Sequence, residues 1–492
     1  MSGDPLVTGL ALIGIVIIVS ALLSGLVDKS GLPQVAVFIF IGAALGPAGF
    51  GVFNMTLESP VLRVVAALSL TLVLFTDAVT LNTKDVKRHS SLAFRMLGPG
   101  TILCAALTAL AAWRLLGISP AYAAILGAAL ASTDPVLLRG LLQRRDISFE
   151  TRQALRLESG LNDVVLLPIV VVAIALTGQH DLASTGFAKM GFGLFILGPG
   201  AGIAIGLIAV AALDLIRKRF GVRRDYESLY SLGVAFSAFA AAEAVHGSGF
   251  LAAFAAGMTI AALDVELCDC FIEYGGVTAE MLLLFTFVIF GSSLIWTGFY
   301  EINTRTVIFV VFALLIRVPV YLLSLLRSNV DRRGRLVIAW FGPSGLSSLL
   351  LILLPVFAGV PGSDRLFRIC ALIVLISVIV HGATPMLFTR FSRKPEPEPV
   401  EPPVPEPVRE SRALPVIESG EAVGTQSVTL EELERLQKSG EKVILLDVRT
   451  ERSRETSDFQ AGGSVRMPPE NVVLQAQQLK LPKDAWLIAY CA

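Results

Sequence analysis

Apolar runs of about twenty residues recur along this chain as far as residue 389, and no other feature limits its fold as much. A helix needs about 20 mostly apolar residues to cross a bilayer. Read between charged or Pro/Gly breaks, thirteen stretches qualify, near 6–26, 33–53, 61–81, 96–116, 119–138, 157–178, 191–216, 226–246, 247–264, 277–297, 305–326, 335–358 and 366–389. In lipid every backbone polar group must be satisfied internally. The expectation is therefore an all-α polytopic protein with thirteen transmembrane helices. Of its 492 residues, 54% are hydrophobic and 16% charged, against roughly 45–50% and about 25% in soluble chains. The formal net charge is zero, so there is no basic excess to meet phosphates. The lipid bilayer is the expected surrounding and no nucleic-acid partner is expected.

The loops orient the chain. Lys and Arg gather on the cytoplasmic side of membrane proteins. Here "KDVKRH", "RGLLQRRDISFETRQALR", "RKRFGVRRD" and "RSNVDRRGR" follow spans 3, 5, 7 and 11, all odd-numbered, while the even-numbered loops are nearly bare. The amino terminus is expected outside and the carboxyl terminus in the cytoplasm, as in a multi-pass cell (inner) membrane protein. "DVELCDCFIEYGG" reads as an odd-numbered loop without basic residues, and "HGSG" as a tight reversal between spans 8 and 9. No cleavable leader is expected, because the first apolar run lacks a basic n-region. Cys104, Cys268, Cys270, Cys370 and Cys491 are scattered without paired spacing, and no histidine cluster accompanies them to suggest zinc. No cofactor is expected.

Residues 1–394 form the transmembrane part. After Lys394 the composition changes, and "PEPEPVEPPVPEPVRE" opens a Pro/Glu-rich linker over 395–424. Residues 425–492 read as a soluble segment. Its "SVTLEELERLQKSG" suggests a helix capped by Thr429 with Glu432 three residues on. "EKVILLDVRT" and "AWLIAYCA" suggest short buried strands.

Ionisable groups inside a spanning helix cost roughly 2.5–3.5 kcal/mol each on insertion scales and usually mark ion or proton paths. In span 6, "LRLESGLNDVVLLPIVV" sets Glu158 four residues from Asn162 and Ser159 four from Asp163, so all four share one helix face. In span 5, "LASTDPVLL" places Thr133, Asp134 and Pro135 in an apolar stretch. Proline leaves the Ala131 carbonyl without its helical partner, and backbone broken at membrane depth belongs where it lines a cavity. The Thr133 hydroxyl, the Asp134 carboxylate and freed carbonyls are hard oxygen ligands for a small cation. Span 12 has a second interruption, "WFGPSGLSS", with Gly342, Pro343 and Gly345. Broken helices at corresponding positions of two halves point to a transporter built from inverted repeats. Arg317, in "FALLIRVPVYLL", is the basic residue lodged well inside an apolar span, and Glu158 is its expected partner. That pairing would leave Asp163 and Asp134 as the unpaired anions. A carboxylate that can hold a proton or a dehydrated cation, but not both, couples their fluxes.

"STDP", "ESGLND", "HGSGFLAAFAAG", the arginine of span 11 and "GPSGLSS" together resemble the monovalent cation:proton antiporters of the sodium/proton exchanger group, over about residues 5–392. The resemblance implies that Asp163 is the exchanging carboxylate. It also implies that Thr133, Asp134 and Ser159 help coordinate the ion and that Glu158 and Arg317 form a structural ion pair. Thirteen helices, two broken crossing helices, a mobile core domain against a dimerisation domain, and homodimers belong to the same expectation. Asn162 before Asp163 implies electroneutral exchange of one cation, sodium, potassium or lithium, for one proton. Asp77, in "LFTDAVTLN", is either a further acid near the site or an interfacial residue. His246 reads as a solvated turn residue, with a pH sensor as the alternative, and His381 as lying near a span end.

The tail is similar to a partial rhodanese domain, an α/β fold, through "ILLDVRT" and "LIAYC". This implies that Cys491 matches the sulfur-carrying cysteine. The sequence stops at Ala492, before the loop that would activate it, so sulfur transfer is not expected and the chain reads as a transporter rather than an enzyme. Two competing readings are a cation channel using the same oxygen cage, and a membrane anchor for a sulfur-handling tail.

Overall fold

The computed structural model describes residues 34–52, 55–80, 90–142, 147–177, 191–220, 224–263, 269–328, 330–389, 442–448, 464–467 and 486–490, with Gly14, Ile18 and Leu22. The chain divides into two compact units, Met1–Glu396 and Pro397–Ala492.

In the first unit the helices follow the apolar runs. They are α1 (Gln34–Leu45), α2 (Pro60–Thr80), α3 (Ser90–Leu116), α4 (Pro120–Ala131), α5 (Pro135–Leu142), α6 (Phe149–Thr177), α7 (Gly198–Phe220), α8 (Arg224–Ala244), α9 (Gly249–Ala262), α10 (Asp269–Ile289), α11 (Thr304–Leu315), α12 (Arg317–Ser324), α13 (Arg332–Trp340), α14 (Leu346–Phe357) and α15 (Ser363–Thr389). Among the described residues, seven helical stretches are long and apolar enough to cross a membrane and five further apolar helices are shorter. These twelve fall on the second to thirteenth expected spans. The first, 6–26, lies outside the described residues apart from three positions.

The departures from thirteen uniform spans have local causes. Spans 5 and 12 are each delivered as two helices with a non-helical stretch between them. Span 11 is also interrupted, between α11 and α12 at Ile316, because Pro319 has no N–H to offer the Leu315 carbonyl. Three expected loops are partly helical: α6 begins at Phe149, α8 at Arg224 and α10 at Asp269. Their charged residues extend helices past the apolar stretch instead of ending them. The "HGSG" reversal is present as read. His246 is exposed with a left-handed φ of 58°, and Ser248 caps α9. The Glu243 carboxylate accepts from the Gly249 N–H at 3.0 Å.

Packing separates an inner from an outer surface. Phe75 on α2, Phe287 on α10, Leu349 and Ile352 on α14 and Phe367 on α15 are fully buried in one continuous core. Ile203, Leu207 and Leu215 on α7, and Val307, Ile308 and Val311 on α11, are exposed. Such a contiguous apolar face would be an aggregation hazard in water and on a spanning helix is where lipid sits.

In the second unit, β1 (Val443–Asp447), β2 (Val465–Arg466) and β3 (Trp486–Tyr490) form a parallel sheet in the order β2-β1-β3. β1 and β3 are the two strands expected from sequence, but only the central strand is well covered. Trp486 and Leu487 of β3 are 42% and 48% exposed, and among the described residues β3 pairs with β1 on one side only. The expected helix near Thr429 and Glu432, and Cys491, lie outside the described residues.

Candidate ion site

α4 stops at Ala131, and Ser132 turns to an extended conformation. Pro135 then opens α5, where its fixed φ suits a first helical turn and its missing N–H costs nothing. The proline thus starts a new helix instead of kinking one. On the other side α13 ends at Trp340, residues 341–345 are non-helical, and α14 starts at Leu346. The two interruptions meet and satisfy each other's backbone. The Asp134 N–H donates to the Pro343 carbonyl at 3.0 Å. The Ser344 hydroxyl donates to Leu130 O at 2.9 Å, and the Ser348 hydroxyl to Ser132 O at 3.2 Å.

Asp134 locks this crossing. Its Oδ2 accepts from the Leu346 N–H at 2.7 Å, so a carboxylate sits on the positive end of α14, where first-turn N–H groups lack helical partners. Asp134 therefore departs from the expectation of an unpaired anion. Gly345 makes the approach possible, since a Cβ there would overlap the Asp134 carboxylate. Gly342 has the matching role one residue before Pro343: its Cβ would overlap the Arg317 guanidinium.

α6 lays its polar face along the break in α4–α5. Glu158, Ser159, Asn162 and Asp163 are all buried. Arg317 grips Glu158 with two parallel hydrogen bonds, Nη1 to Oε1 at 3.1 Å and Nη2 to Oε2 at 3.0 Å. Thr133 completes the group. Its hydroxyl donates to Glu158 Oε1 at 2.8 Å and accepts from Arg317 Nη1 at 3.2 Å. Arg317 Nη2 also donates to the Ile338 carbonyl near the end of α13 at 3.3 Å. One turn further, Asn162 Nδ2 donates to the Thr133 carbonyl at 3.3 Å. Its Oδ1 is buried without a partner among the described residues.

Asp163 is 5% exposed. Its Oδ1 accepts from the Ser132 hydroxyl at 2.5 Å, and the Ser347 hydroxyl also acts on it from the start of α14. Both partners are neutral. With Glu158 balanced by Arg317, Asp163 is a buried carboxyl without a charged partner among the described residues, a condition that a cation or a proton would relieve.

The structure thus brings together Thr133, Asp134, Glu158, Asn162, Asp163, Arg317 and both breaks. Ser159 shares the α6 face, but its hydroxyl donates to the Arg156 carbonyl at 3.4 Å. Asp77 is half-buried on α2, which packs against α6, and the carboxylates of Asp163 and Asp134 act on it. His381, read as lying near a span end, is buried at 7% exposure, with Nδ1 against Ser377 and its ring 5.6 Å from that of Trp340. Ser132, Ser347 and Tyr321 are part of the site and were not foreseen. Two of them sit inside the quoted breaks, and a hydroxyl within a broken apolar helix is the signal that marks them.

The family model described as "Sodium/hydrogen exchanger, transmembrane" matches residues 15–389. The K(+)/H(+) antiporter NhaP of Alkalimonas amylolytica is 23% identical over 374 residues, which is 75% of this chain and 64% of that protein. The chain thus spans somewhat less than two thirds of that relative's length. The K(+)/H(+) antiporter NhaP2 of Shewanella sp. (strain MR-4) is 24% identical over 391 residues, 78% of this chain and 67% of that protein. Among solved structures, the sodium proton antiporter MjNhaP1 from Methanocaldococcus jannaschii superposes with a TM-score of 0.62 at 19% identity, covering 78% of this chain and 99% of that one. With three quarters of its length matched by the family model, this chain belongs to the sodium/hydrogen exchanger family.

Proposed function

We propose that this chain exchanges a monovalent alkali cation for a proton across the membrane, with the two competing for Asp163. One observation carries the reading. A buried carboxylate whose partners among the described residues are serine hydroxyls lies beside the junction of two broken helices. Burial penalises a bare carboxylate, so Asp163 takes whichever positive partner is available. A proton neutralises it directly. A cation would draw on the Asp163 carboxylate, Asn162 Oδ1, and the Thr133 and Ser159 hydroxyls, beside the charge of Asp134. Each arrival expels the other, and an empty, charged site is the costly state. Coupling follows from that cost.

The ion pair keeps Arg317 off Asp163. Were the guanidinium free to swing, it would neutralise Asp163 permanently and no exchange would occur. Exchange is one for one and electroneutral, because a single carboxyl changes partner while Glu158 remains paired. Sodium and potassium are both candidates, since the relatives are named as potassium antiporters and the structural neighbour as a sodium antiporter. Alternating access exposes the loaded site to each face in turn. The working form is a homodimer in the cell membrane, with the basic loops and the carboxyl terminus in the cytoplasm.

The test is exchange in proteoliposomes, with sodium and then potassium and with or without an imposed membrane potential. A potential-independent, saturable proton flux that requires the counter-cation is expected, and Asp163→Asn should abolish it in a protein that still folds. An active Asp163→Asn variant refutes the assignment.

A further inference from the structure

We infer that Tyr321 is a positioning residue for the exchange site. It acts with Thr101 to hold the Glu158–Arg317 pair, and so Thr133, in register. The inference rests on the proposed exchange at Asp163.

Tyr321 is fully buried on α12, one turn after Arg317. Its ring lies under the guanidinium, with Arg317 Cζ 3.9 Å from the ring centroid, a cation–π distance. Its hydroxyl donates to Glu158 Oε1 at 3.1 Å. The same hydroxyl lies 3.0 Å from the Thr101 hydroxyl. A carboxylate in an ion pair only accepts, so the tyrosine proton is committed to Glu158 and Thr101 is the donor in the second contact.

Thr101 sits in the π-turn Met96–Ile102 of α3, which contains Pro99. The Met96 carbonyl, five residues back, also accepts from this hydroxyl at 3.2 Å, so the single Thr101 proton is shared between that carbonyl and the Tyr321 oxygen. Single π-turns recur at functional sites. This one turns a hydroxyl from α3 toward α12, forming a relay from the α3 backbone through Thr101 and Tyr321 to Glu158.

The relay matters for exchange because of what else Glu158 holds. Oε1 carries three donors: Thr133 at 2.8 Å, Arg317 Nη1 at 3.1 Å and Tyr321 at 3.1 Å. Thr133 is the residue before Asp134, and its carbonyl receives the Asn162 amide. Remove one donor and the carboxylate draws more strongly on the other two, so Thr133 shifts toward Glu158 and away from the position that serves the cation. The tyrosine touches no proposed ion ligand itself. Its effect should therefore appear in cation affinity more than in turnover.

The experiment compares Tyr321→Phe, Thr101→Val, Thr101→Ser, the Tyr321→Phe/Thr101→Val double variant and Asp163→Asn. Each is made in the full chain and reconstituted in proteoliposomes, with exchange measured against sodium and potassium concentration. Tyr321→Phe keeps the ring under Arg317 and removes only the hydroxyl. The half-saturating cation concentration should rise about tenfold, as for loss of one hydrogen bond to a charged group, with the maximal rate within about twofold. Thr101→Val should shift it in the same direction, Thr101→Ser should stay at the unmodified value, and the double variant should be no worse than Tyr321→Phe alone. If Tyr321→Phe is not recovered folded, the Thr101 pair carries the same comparison. An unchanged half-saturating concentration in Tyr321→Phe or Thr101→Val, a double variant equal to the product of the singles, or a lower rate at unchanged affinity would each overturn the inference. Exchange surviving in Asp163→Asn would overturn the reading of the site instead.

Discussion

Replacing Arg317 by alanine should be among the most damaging single changes to the stability of the transmembrane unit. The structure sets its size. Glu158 receives four hydrogen bonds, two from Arg317 and one each from Thr133 and Tyr321. Its side chain is fully buried and that of Arg317 is 10% exposed, so solvent screening offers little relief. Removing one partner of a buried ion pair costs about 3–5 kcal/mol, because the other charge is left uncompensated. Two hydroxyl donors remain on Glu158, which argues for the lower end, about 3 kcal/mol. Arg317→Ala also strands the Ile338 carbonyl and opens a gap beside Gly342. Glu158→Gln should cost a comparable amount, since its amide nitrogen would face a guanidinium that only donates. The combined change Glu158→Leu with Arg317→Met removes both charges while keeping side-chain bulk. It should recover at least half of the single-variant loss, short of all of it because Thr133 and Tyr321 lose their acceptor. Thermal unfolding of the detergent-solubilised chain, followed by tryptophan fluorescence, measures each variant. Normal stability of Arg317→Ala would refute the argument, as would a double variant no better than the worse single.

Two further changes probe the crossing and the carboxylate. Gly345→Ala places a methyl group where the Asp134 carboxylate lies, breaking its bond to the Leu346 N–H. A hydrogen bond to a charged group contributes about 1.5–3 kcal/mol, so the unfolding midpoint should fall by several degrees and exchange should drop at least tenfold; a variant normal in both measurements would contradict the lock assigned to Asp134. Ser132→Ala removes the hydroxyl from Asp163 Oδ1, and the half-saturating cation concentration should rise about tenfold for the same physical reason, while Ser132→Thr should lie between; vesicle assays with unchanged affinity in Ser132→Ala would show that the hydroxyl does not orient Asp163.

What could be read from the sequence, and what could not, divides along one physical line. Features that are costly in lipid announce themselves. Asp163 and Glu158 in an apolar run, Arg317 in another, and Pro135 and Pro343 at membrane depth each violate the pattern around them, and each has a role in the structure. Features that are cheap do not. A serine in a spanning helix usually bonds its own backbone, as Ser159 does, so Ser132, which bonds Asp163, is marked only by its place in the break and not by its residue type. Tyr321 reads as an ordinary buried aromatic until α3 and α12 are side by side. Asp134 looked like a free anion because its partner, the Leu346 N–H, lies more than two hundred residues away at a helix end that only the second break creates. The same line explains why the site contains three carboxylates but a single buried arginine among the described residues. One pair, Glu158–Arg317, gives the broken helices a fixed charged anchor. One carboxylate, Asp134, is anchored by a helix terminus, a partner that cannot leave. Asp163 alone is held by hydroxyls, which orient it without neutralising it. Of the three, it is therefore the one that the proposed exchange requires, a carboxylate whose positive partner would come and go at no cost to the scaffold.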